Sequence, residues 1–268
     1  MSDLLMMEWL RGKRIAVTRE LDQAKHTAAM IERRGGLPIY FPCLKRNLLL
    51  ESVQNILPQL QKGSPEVLLF TSANGVDAVA AVLQGEMARV LAPHRRVVVG
   101  AKTAARLNHY GVVATDVAGD ASQEGVVDLL VSAGLPARLF FFRAEVVRDR
   151  LCNVLRAQGC DVIEVICYRM DCPMDDAQPF RSALEAGAVD AILLGSSQTA
   201  RYFLQRIENS KLAATTVIVT ISEAVTLVAQ DLGFNVQVTA KQANFESMLD
   251  GLSELFAKQA VLERENRI

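Results

Sequence analysis

The sequence predicts an α/β protein built as two similar lobes, each a parallel sheet flanked by helices. Three observations support this fold class. Apolar runs of strand length alternate along the chain with helix-length amphipathic stretches, many of which end in glycine. The strands are apolar throughout, as is typical of parallel strands that are covered on both faces. The length of 268 residues is comfortable for two cores of ordinary domain size.

The first half of the chain supplies five strands and four helices. Each strand is a short run rich in Val, Ile, Leu or Phe, and each helix is a stretch with helical spacing of apolar residues. The residues before the first strand are expected to form a loose extension. The predicted strands are 14–18, 37–41, 67–70, 97–100 and 115–118, with helices near 21–34, 73–84, 102–109 and 123–133.

The second half follows the same pattern. The strand-like runs are RLFFF, DVIEVICY, DAILL, TVIVT and NVQVT. The amphipathic stretches between them have helical spacing of apolar residues. The predicted strands are 138–142, 161–168, 190–194, 216–220 and 235–239, with helices near 147–158, 177–187, 198–208, 222–231 and 244–262.

The chain also repeats itself at a spacing of 124 residues. An arginine follows the first strand of each half, a glycine closes the next helix, and a serine follows a later buried strand. The spacing drifts to 120 at the VVVG and VIVT strands, which indicates an insertion or deletion. We infer an internal duplication. The pairs that share the 124-residue spacing are Arg19 and Arg143, Gly35 and Gly159, and Ser72 and Ser196.

Hydroxyl side chains stand where a buried strand ends and a helix begins. LLFTSANGV contains Thr71 and Ser72, and ILLGSSQTA contains Ser196 and Ser197. In parallel sheets, ligands bind beyond the carboxyl ends of the strands, where helix N-termini present free N–H groups. We therefore predict that both lobes bind one anionic ligand in a cleft between them. The alternative is that the serines only cap the helices that follow.

The composition excludes several function classes. The net charge of −1 gives no basic field for binding nucleic acid. Five cysteines without a CxxC pair predict reduced thiols in the cytoplasm, and three scattered histidines predict no metal site. No apolar run is long enough to cross a membrane, and neither glycine-rich nucleotide fingerprint is present in its required context. The expectation is a small-molecule ligand and no bound cofactor.

The order of motifs resembles the uroporphyrinogen-III synthase family over about residues 13–256. The resemblance implies flavodoxin-like lobes, the first made of residues 1–42 and 170–268 and the second of 46–165. Extended crossings near 37–45 and 162–170 would join them. The motifs are IAVTRE, LLFTSANGV, VVVGAKTAARL, GVVATDVAGDASQEGVVDLL, LFFFRAE, VIEVICYRM, ILLGSSQTARYF and ISEAVTLVAQDLGF.

The activity that the resemblance implies is the cyclisation of hydroxymethylbilane to uroporphyrinogen III, a lyase reaction of haem, sirohaem and cobalamin biosynthesis. It inverts ring D, releases water and uses neither a metal nor an organic cofactor. The substrate would be a linear tetrapyrrole with eight carboxylates. A cytoplasmic monomer in transient contact with the preceding enzyme is also implied. A non-catalytic bilobal binding or sensor protein remains the alternative, since it too would have duplicated lobes.

The resemblance assigns one catalytic candidate and a set of substrate-binding candidates. Tyr168 matches the family's tyrosine at the end of the return strand, where a phenol could protonate the departing hydroxyl. Its alternative is an aromatic packed at a hinge with its O–H satisfied locally. For the binding candidates the alternatives are helix caps and surface ion pairs. The binding candidates are Thr18, Arg19, Thr71, Ser72, Gly100, Lys102, Thr103, Ser122, Arg143, Ser196, Ser197 and Ser222.

Overall fold

A computed structural model describes residues 9–62, 66–118, 123–146 and 150–265 of the chain. The chain divides into two compact units. The first unit ends at Lys45 and resumes at Asp171, and the second runs from Arg46 to Met170. The chain therefore leaves the first unit once and returns to it once.

The elements alternate between strand and helix in both units. The first unit begins with β1 (Arg14–Val17), α1 (Leu21–Arg33) and β2 (Leu37–Tyr40). The second unit contains β3 (Lys45–Leu48), α2 (Leu50–Lys62), β4 (Val67–Phe70), α3 (Ala73–Leu83), α4 (Met87–Leu91), β5 (Arg95–Val99), α5 (Gly100–His109), β6 (Asp116–Ala118), α6 (Gln123–Ser132), β7 (Arg138–Ala144), α7 (Arg150–Ala157) and β8 (Asp161–Asp171). The first unit then continues with α8 (Gln178–Glu185), β9 (Ala191–Leu194), α9 (Ser197–Ile207), β10 (Val217–Thr220), α10 (Glu223–Asp231), β11 (Val236–Thr239) and α11 (Phe245–Glu265).

Each unit contains one sheet flanked by helices, which confirms the predicted α/β class. The first sheet has the strand order β11-β10-β9-β1-β2, and its neighbouring strands are parallel. The second has the order β3-β8-β7-β4-β5-β6, with parallel pairing from β8 across to β6. Since β4 and β9 are buried at every position, apolar side chains cover both faces of each sheet at its centre.

The two sheets have the same strand order when strands are matched by the sequence repeat. One order superimposes on the other when β1 is matched with β7, β2 with β8, β9 with β4, β10 with β5 and β11 with β6. The register agrees as well: Val17 pairs with Leu193 in the first sheet, and Phe141 pairs with Leu69 in the second. The equivalent residues of the two pairs are 124 apart: 141 − 17 = 124 for Val17 and Phe141, and 193 − 69 = 124 for Leu69 and Leu193. The agreement is what an internal duplication would produce, and the duplication itself remains our inference.

Two cysteines occupy equivalent positions in the repeat and are fully buried. The thiol of Cys43 donates to the carbonyl of Phe41 at 3.4 Å, and the thiol of Cys167 donates to the carbonyl of Val165 at 3.3 Å. Burial raises the pKa of Cys167 to about 12 and raises the pKa of Cys43 as well. Both thiols therefore remain protonated at neutral pH, which suits small packing residues better than a redox pair.

The helix α2 is an element that the sequence prediction omitted. Its buried residues Val53, Ile56 and Leu60 have helical spacing, so a signal was present. Pro58 lies inside the helix, where a proline removes a backbone donor and usually interrupts the helix. Packing of the apolar stripe against the core offsets that cost.

The expectation of a loose segment before β1 is wrong at Leu10. This side chain has 0% exposure and packs in the core of the first unit with Ile15 and Ile31. The backbone is fixed there too, because the Gly12 N–H donates to the Gly35 carbonyl at 2.9 Å. Full burial of a leucine side chain stabilises the folded segment by roughly 1.5–3 kcal/mol.

Packing at the ends of the central strands fixes where the following loops begin. In the second unit, Phe70 of β4 stacks on Phe142 of β7 with ring centroids 4.5 Å apart. At the equivalent place in the first unit, the buried Thr18 hydroxyl donates to the Leu193 carbonyl at 2.5 Å. Both contacts hold two neighbouring strands together at their carboxyl ends, one residue before Arg143 and Arg19 respectively.

Candidate functional site

The candidate site in each unit is the edge where the strands end at their carboxyl termini. Parallel neighbours deliver the residues that follow them to the same edge. In the first unit, β1 is followed by Arg19, β9 by Ser196 and Ser197, and β10 by Ser222. In the second unit the equivalent edge carries Thr71, Ser72, Gly100 and Arg143, with Lys102 and Thr103 in the first turns of α5. Ser122 lies outside the described residues.

Ser72 and Ser196 are both helix caps. The Asn74 N–H donates to Ser72 Oγ at 3.1 Å, and the Thr199 N–H donates to Ser196 Oγ at 3.1 Å. Both serines have the extended backbone that this position requires. The capping alternative is therefore realised. A cap bond occupies a lone pair on the oxygen and leaves the Ser72 proton able to donate to a ligand. The Ser196 hydroxyl has a further partner, because its oxygen lies 2.8 Å from Thr199 Oγ1.

Ser222 occupies the same position before α10 but does not cap it with its side chain. Its carbonyl accepts from the N–H groups of Val225 and Thr226, both at 3.0 Å, while its hydroxyl makes no capping bond. The turn is held by a hydroxyl network in which Thr226 lies 2.5 Å from Thr220 and 2.7 Å from Thr239, oxygen to oxygen. Of the three cap-position serines, Ser222 has the hydroxyl that its helix does not use.

Arg19 is a half-buried cation held by neutral groups. Its guanidinium donates to Gln23 Oε1 at 2.6 Å and to Thr27 Oγ1 at 3.5 Å, and it lies 4.3 Å from the centre of the Phe245 ring. Burial lowers the pKa of Arg19, and the charge of Glu20 opposes that shift. No ion pair joins Arg19 to a carboxylate among the described residues. A partly desolvated guanidinium of this kind favours an anionic ligand.

Arg143, the repeat equivalent of Arg19, has a different environment. It is 6% exposed and forms an ion pair with Glu164, and it also donates to the carbonyl of Ala144 at 3.1 Å. The Glu164 carboxylate compensates the charge of the buried Arg143 guanidinium. The alternative for Arg143 was a surface ion pair, and the ion pair that the structure contains is buried; ligand binding by Arg143 and by Arg19 remains a prediction.

Two of the predicted hydroxyl contacts lie below the surface. Thr18 is 0% exposed and Thr103 is 4% exposed, so neither side chain presents appreciable surface to a ligand. The Thr18 hydroxyl joins two strands, and substrate contacts of Thr18 and Thr103 remain predictions of the resemblance. Thr71 and Ser197 are half-buried, and Lys102 is exposed. Gly100 has φ +75°, a conformation that favours glycine at the start of α5.

Tyr168 lies near the end of β8 with its ring in the core of the second unit. Its carbonyl accepts from the Glu145 N–H at 2.8 Å, next to a register shift between β7 and β8. Such irregularities re-aim side chains and are common beside active sites. Tyr168 is 9% exposed. Both the catalytic role of its phenol and the alternative of a locally satisfied O–H remain predictions.

The sequence did not reveal two features of these edges. Arg46 and Arg106 both contact Asp77 in the second unit, although they lie 31 and 29 residues from it in sequence. In the first unit, Gly195 allows the Phe245 ring to pack against the end of β9, because a Cβ there would lie 2.7 Å from the ring. Both features depend on contacts distant in sequence, which no local motif signals.

The model of the family described as uroporphyrinogen-III synthase HemD matches residues 25–250. The chain belongs to the uroporphyrinogen-III synthase family. A uroporphyrinogen-III synthase of Synechococcus elongatus is 27% identical over 263 residues, covering 93% of this chain and 97% of that protein.

Solved structures of the same family share the fold. A uroporphyrinogen III synthase mutant of Thermus thermophilus has a TM-score of 0.57 at 19% identity, covering 92% of this chain and 100% of that chain. The uroporphyrinogen-III synthetase of Helicobacter pylori also has a TM-score of 0.57, at 15% identity, covering 91% and 99%. At these identities the likeness concerns the fold alone.

Metal-ligand clusters and membrane-spanning helices are both absent from the part of the chain that the structure describes. No group of three or more His, Cys, Asp or Glu residues there is arranged to hold a metal ion. None of the helices in that part combines the length and the apolar character needed to span a bilayer.

The contact between Gly195 and Phe245 gives a test of the Arg19 environment. In Gly195→Ala the new methyl would overlap the Phe245 ring, on which Arg19 packs, so the ring and the guanidinium must move. We expect a loss of about 1–3 kcal/mol in the free energy of unfolding, measured by denaturant titration. Binding of an anionic ligand, measured by fluorescence quenching, should weaken together with stability.

Gly85→Ala is the matched control, because a Cβ at Gly85 would meet nothing within 4 Å. That variant should stay within about 0.5 kcal/mol of the parent protein. Adding Phe245→Leu to Gly195→Ala should relieve the overlap and recover part of the loss. Equal stability of Gly195→Ala and the parent would contradict the close packing described here.

Proposed function

We propose that this chain cyclises hydroxymethylbilane to uroporphyrinogen III, with inversion of ring D and loss of water. It would act as a lyase of tetrapyrrole biosynthesis. The family match over residues 25–250 is the observation that carries the proposal. Hydrogen-bond donors at the carboxyl edges of both sheets support it, because the substrate has eight carboxylates to bind.

Binding in this proposal relies on backbone N–H groups and on Arg19. The N-termini of α3, α9 and α10 present partial positive charge without adding net charge to the chain. Arg19 adds a guanidinium that can hold a carboxylate through two parallel hydrogen bonds. The prediction that loops of both units bind one substrate molecule is part of the proposal. Most of the rate enhancement would then come from orienting a flexible chain so that the uninverted closure is excluded.

The chemistry begins with departure of the terminal hydroxyl from ring A. The carbon–oxygen bond breaks with its electrons on oxygen, a proton joins that oxygen, and water leaves behind an azafulvene cation. The Tyr168 phenol is the proposed proton donor, and its position near the end of β8, beside the register shift with β7, supports this assignment. The oxygen of the phenolate would take up a proton again at the end of the cycle.

Ring inversion follows from the site of attack. The substituted carbon of ring D attacks the cation and forms a spiro intermediate, which fragments and recloses at the other position. Loss of one proton from the ring carbon restores the pyrrole, so the overall change is the loss of one water. No oxidation state changes, and the balance therefore requires no electron carrier. Monomeric state, cytoplasmic location and transient contact with the preceding enzyme remain predictions of the resemblance.

The direct test is a turnover assay with hydroxymethylbilane, whose spontaneous closure gives the uninverted isomer I. We expect the protein to yield isomer III faster than the uncatalysed reaction, as measured by oxidising the products and separating the porphyrin isomers. A non-catalytic binding protein would retain the compound and leave only isomer I at the uncatalysed rate. That result would contradict the proposed function.

Tyr168→Phe tests the proposed proton donor. The substitution removes the phenol oxygen and keeps the ring in the core, so kcat should fall by at least about tenfold while the thermal transition changes little. Tyr202→Phe is a suitable control, because Tyr202 lies in the middle of α9, away from the carboxyl ends of the strands. Unchanged kinetics in Tyr168→Phe would contradict the assignment of Tyr168 as the proton donor.

A further inference from the structure

The guanidinium of Arg19 is held by three side chains, none of which carries a charge. Its Nη2 donates to Gln23 Oε1 at 2.6 Å, and its Nη1 donates to Thr27 Oγ1 at 3.5 Å. Arg19 Cζ lies over the Phe245 ring, 4.3 Å from the ring centre. We name Gln23, Thr27 and Phe245 the Arg19 cradle. An amide, a hydroxyl and an aromatic ring orient the guanidinium and leave its formal charge uncompensated.

The cradle is built from two helices of the first unit. Gln23 and Thr27 both lie on α1, four residues apart and therefore on the same face of the helix. Phe245 is the first residue of α11, and its ring packs against the end of β9 at Gly195. Thr27 is fully buried and Phe245 is 9% exposed, so packing fixes both side chains.

Arg19 keeps donors that the cradle does not use. A guanidinium has five N–H groups, and the two bonds to Gln23 and Thr27 use one on each terminal nitrogen. The other three have no acceptor among the described residues. Glu20 is the neighbouring acid; its charge opposes the lowering of the Arg19 pKa by burial, but the two side chains form no ion pair. A further negative partner would therefore stabilise this half-buried cation.

The second unit has the equivalent arginine with a carboxylate supplied. Arg143 is the repeat equivalent of Arg19, and it forms an ion pair with Glu164 of β8. The position on β2 that matches Glu164 holds Tyr40, at the same spacing of 124 residues (164 − 40) and in the same register with the neighbouring strand. The fold thus accommodates an acid at this position. The first unit has a neutral residue there, and Arg19 has no ion-pair partner among the described residues.

We propose that Gln23 and Phe245 are positioning residues that hold the Arg19 guanidinium, without neutralising it, for binding one carboxylate of the substrate. This inference rests on the proposed function. An acid in place of Gln23 would hold the guanidinium equally well, but it would compete with the substrate carboxylate for the charge and for the donors. A neutral acceptor and a ring face provide orientation without that competition.

Gln23→Glu tests this directly, because it keeps the size of the side chain and adds a carboxylate. The new carboxylate should pair with Arg19, so KM for hydroxymethylbilane should rise about tenfold while kcat changes by less than about threefold. The thermal transition should stay the same or rise, since an ion pair replaces a neutral hydrogen bond. A merely structural role for Gln23 would not weaken binding while stability is kept.

Gln230→Glu is the matched control. Gln230 is exposed in the last turn of α10, which begins at the carboxyl edge of the sheet and ends at the opposite edge. The substitution adds the same charge to the chain, so it measures the general repulsion of a polyanion. Its KM should stay within about twofold of the parent value.

Tyr40→Glu supplies the first unit with the carboxylate that Arg143 has in the second. It should raise KM about as much as Gln23→Glu does, because the new acid would also pair with Arg19. Tyr40→Gln, which has no charge, should raise KM less. Equal KM values for these two Tyr40 variants would contradict the role of charge at this position.

Double-mutant cycles connect the cradle to Arg19. In an Arg19→Gln background, Gln23→Glu and Phe245→Leu should each raise KM by a smaller factor than in the parent protein, because no guanidinium is left to position. Affinity for uroporphyrin III, the oxidised form of the proposed product, is measured by fluorescence and gives a readout without turnover. It should fall in the same variants in which KM rises.

Two results would show the inference to be wrong. One is equal KM and equal affinity for uroporphyrin III in Gln23→Glu and Gln230→Glu. The other is a loss of affinity in Gln23→Glu that is the same with and without Arg19. Failure of the parent protein to form isomer III would instead contradict the proposed function.

Discussion

The geometry of parallel strands is the constraint on which the rest of this structure depends. A parallel strand that is followed by a helix delivers the next residue to the same sheet edge as its neighbours, whatever their separation in sequence. In the first unit, β1 and β9 lie side by side although about 175 residues separate them, and Arg19 and Ser196 thereby share an edge. The second unit obeys the same rule with β7 and β4. The grouping of these side chains at one edge is therefore a consequence of strand order.

Equivalent positions at the sheet edges of the two units have different side-chain environments. Equivalent arginines meet different environments: Arg143 pairs with Glu164 inside the second unit, while Arg19 rests on the Phe245 ring and neutral side chains. At the positions of Asn74 and Asp77 in the second unit, the first unit has Gln198 and Arg201. The proposed substrate, with eight carboxylates along a linear chain, needs different donors along its length. Divergence of two similar units is a direct way to provide them.

The sequence was sufficient to predict the fold class and most elements, because apolar strand runs and helical periodicity are local signals. The prediction omitted α2 because Pro58 lies inside it. Packing of α2 against the core outweighs the local preference of proline. The sequence correctly placed the serines at the ends of strands. Their capping bonds depend on backbone dihedral angles, which residue types alone do not specify. Contacts distant in sequence were the hardest to foresee. Thr18 and Leu193, Gly195 and Phe245, and Arg46 and Asp77 meet only after the sheets have formed.

The central claim is that the carboxyl edges of both sheets bind the polyacid. The most direct test measures amide hydrogen–deuterium exchange with and without uroporphyrin III, a stable porphyrin with eight carboxylates. Backbone N–H groups that donate to ligand carboxylates exchange more slowly. The account predicts slower exchange at residues 71–76 and 195–200, and no change in the loops at 33–37 and 157–161, which precede strands at the opposite edges. Protection confined to those opposite loops, or to one unit alone, would contradict the account.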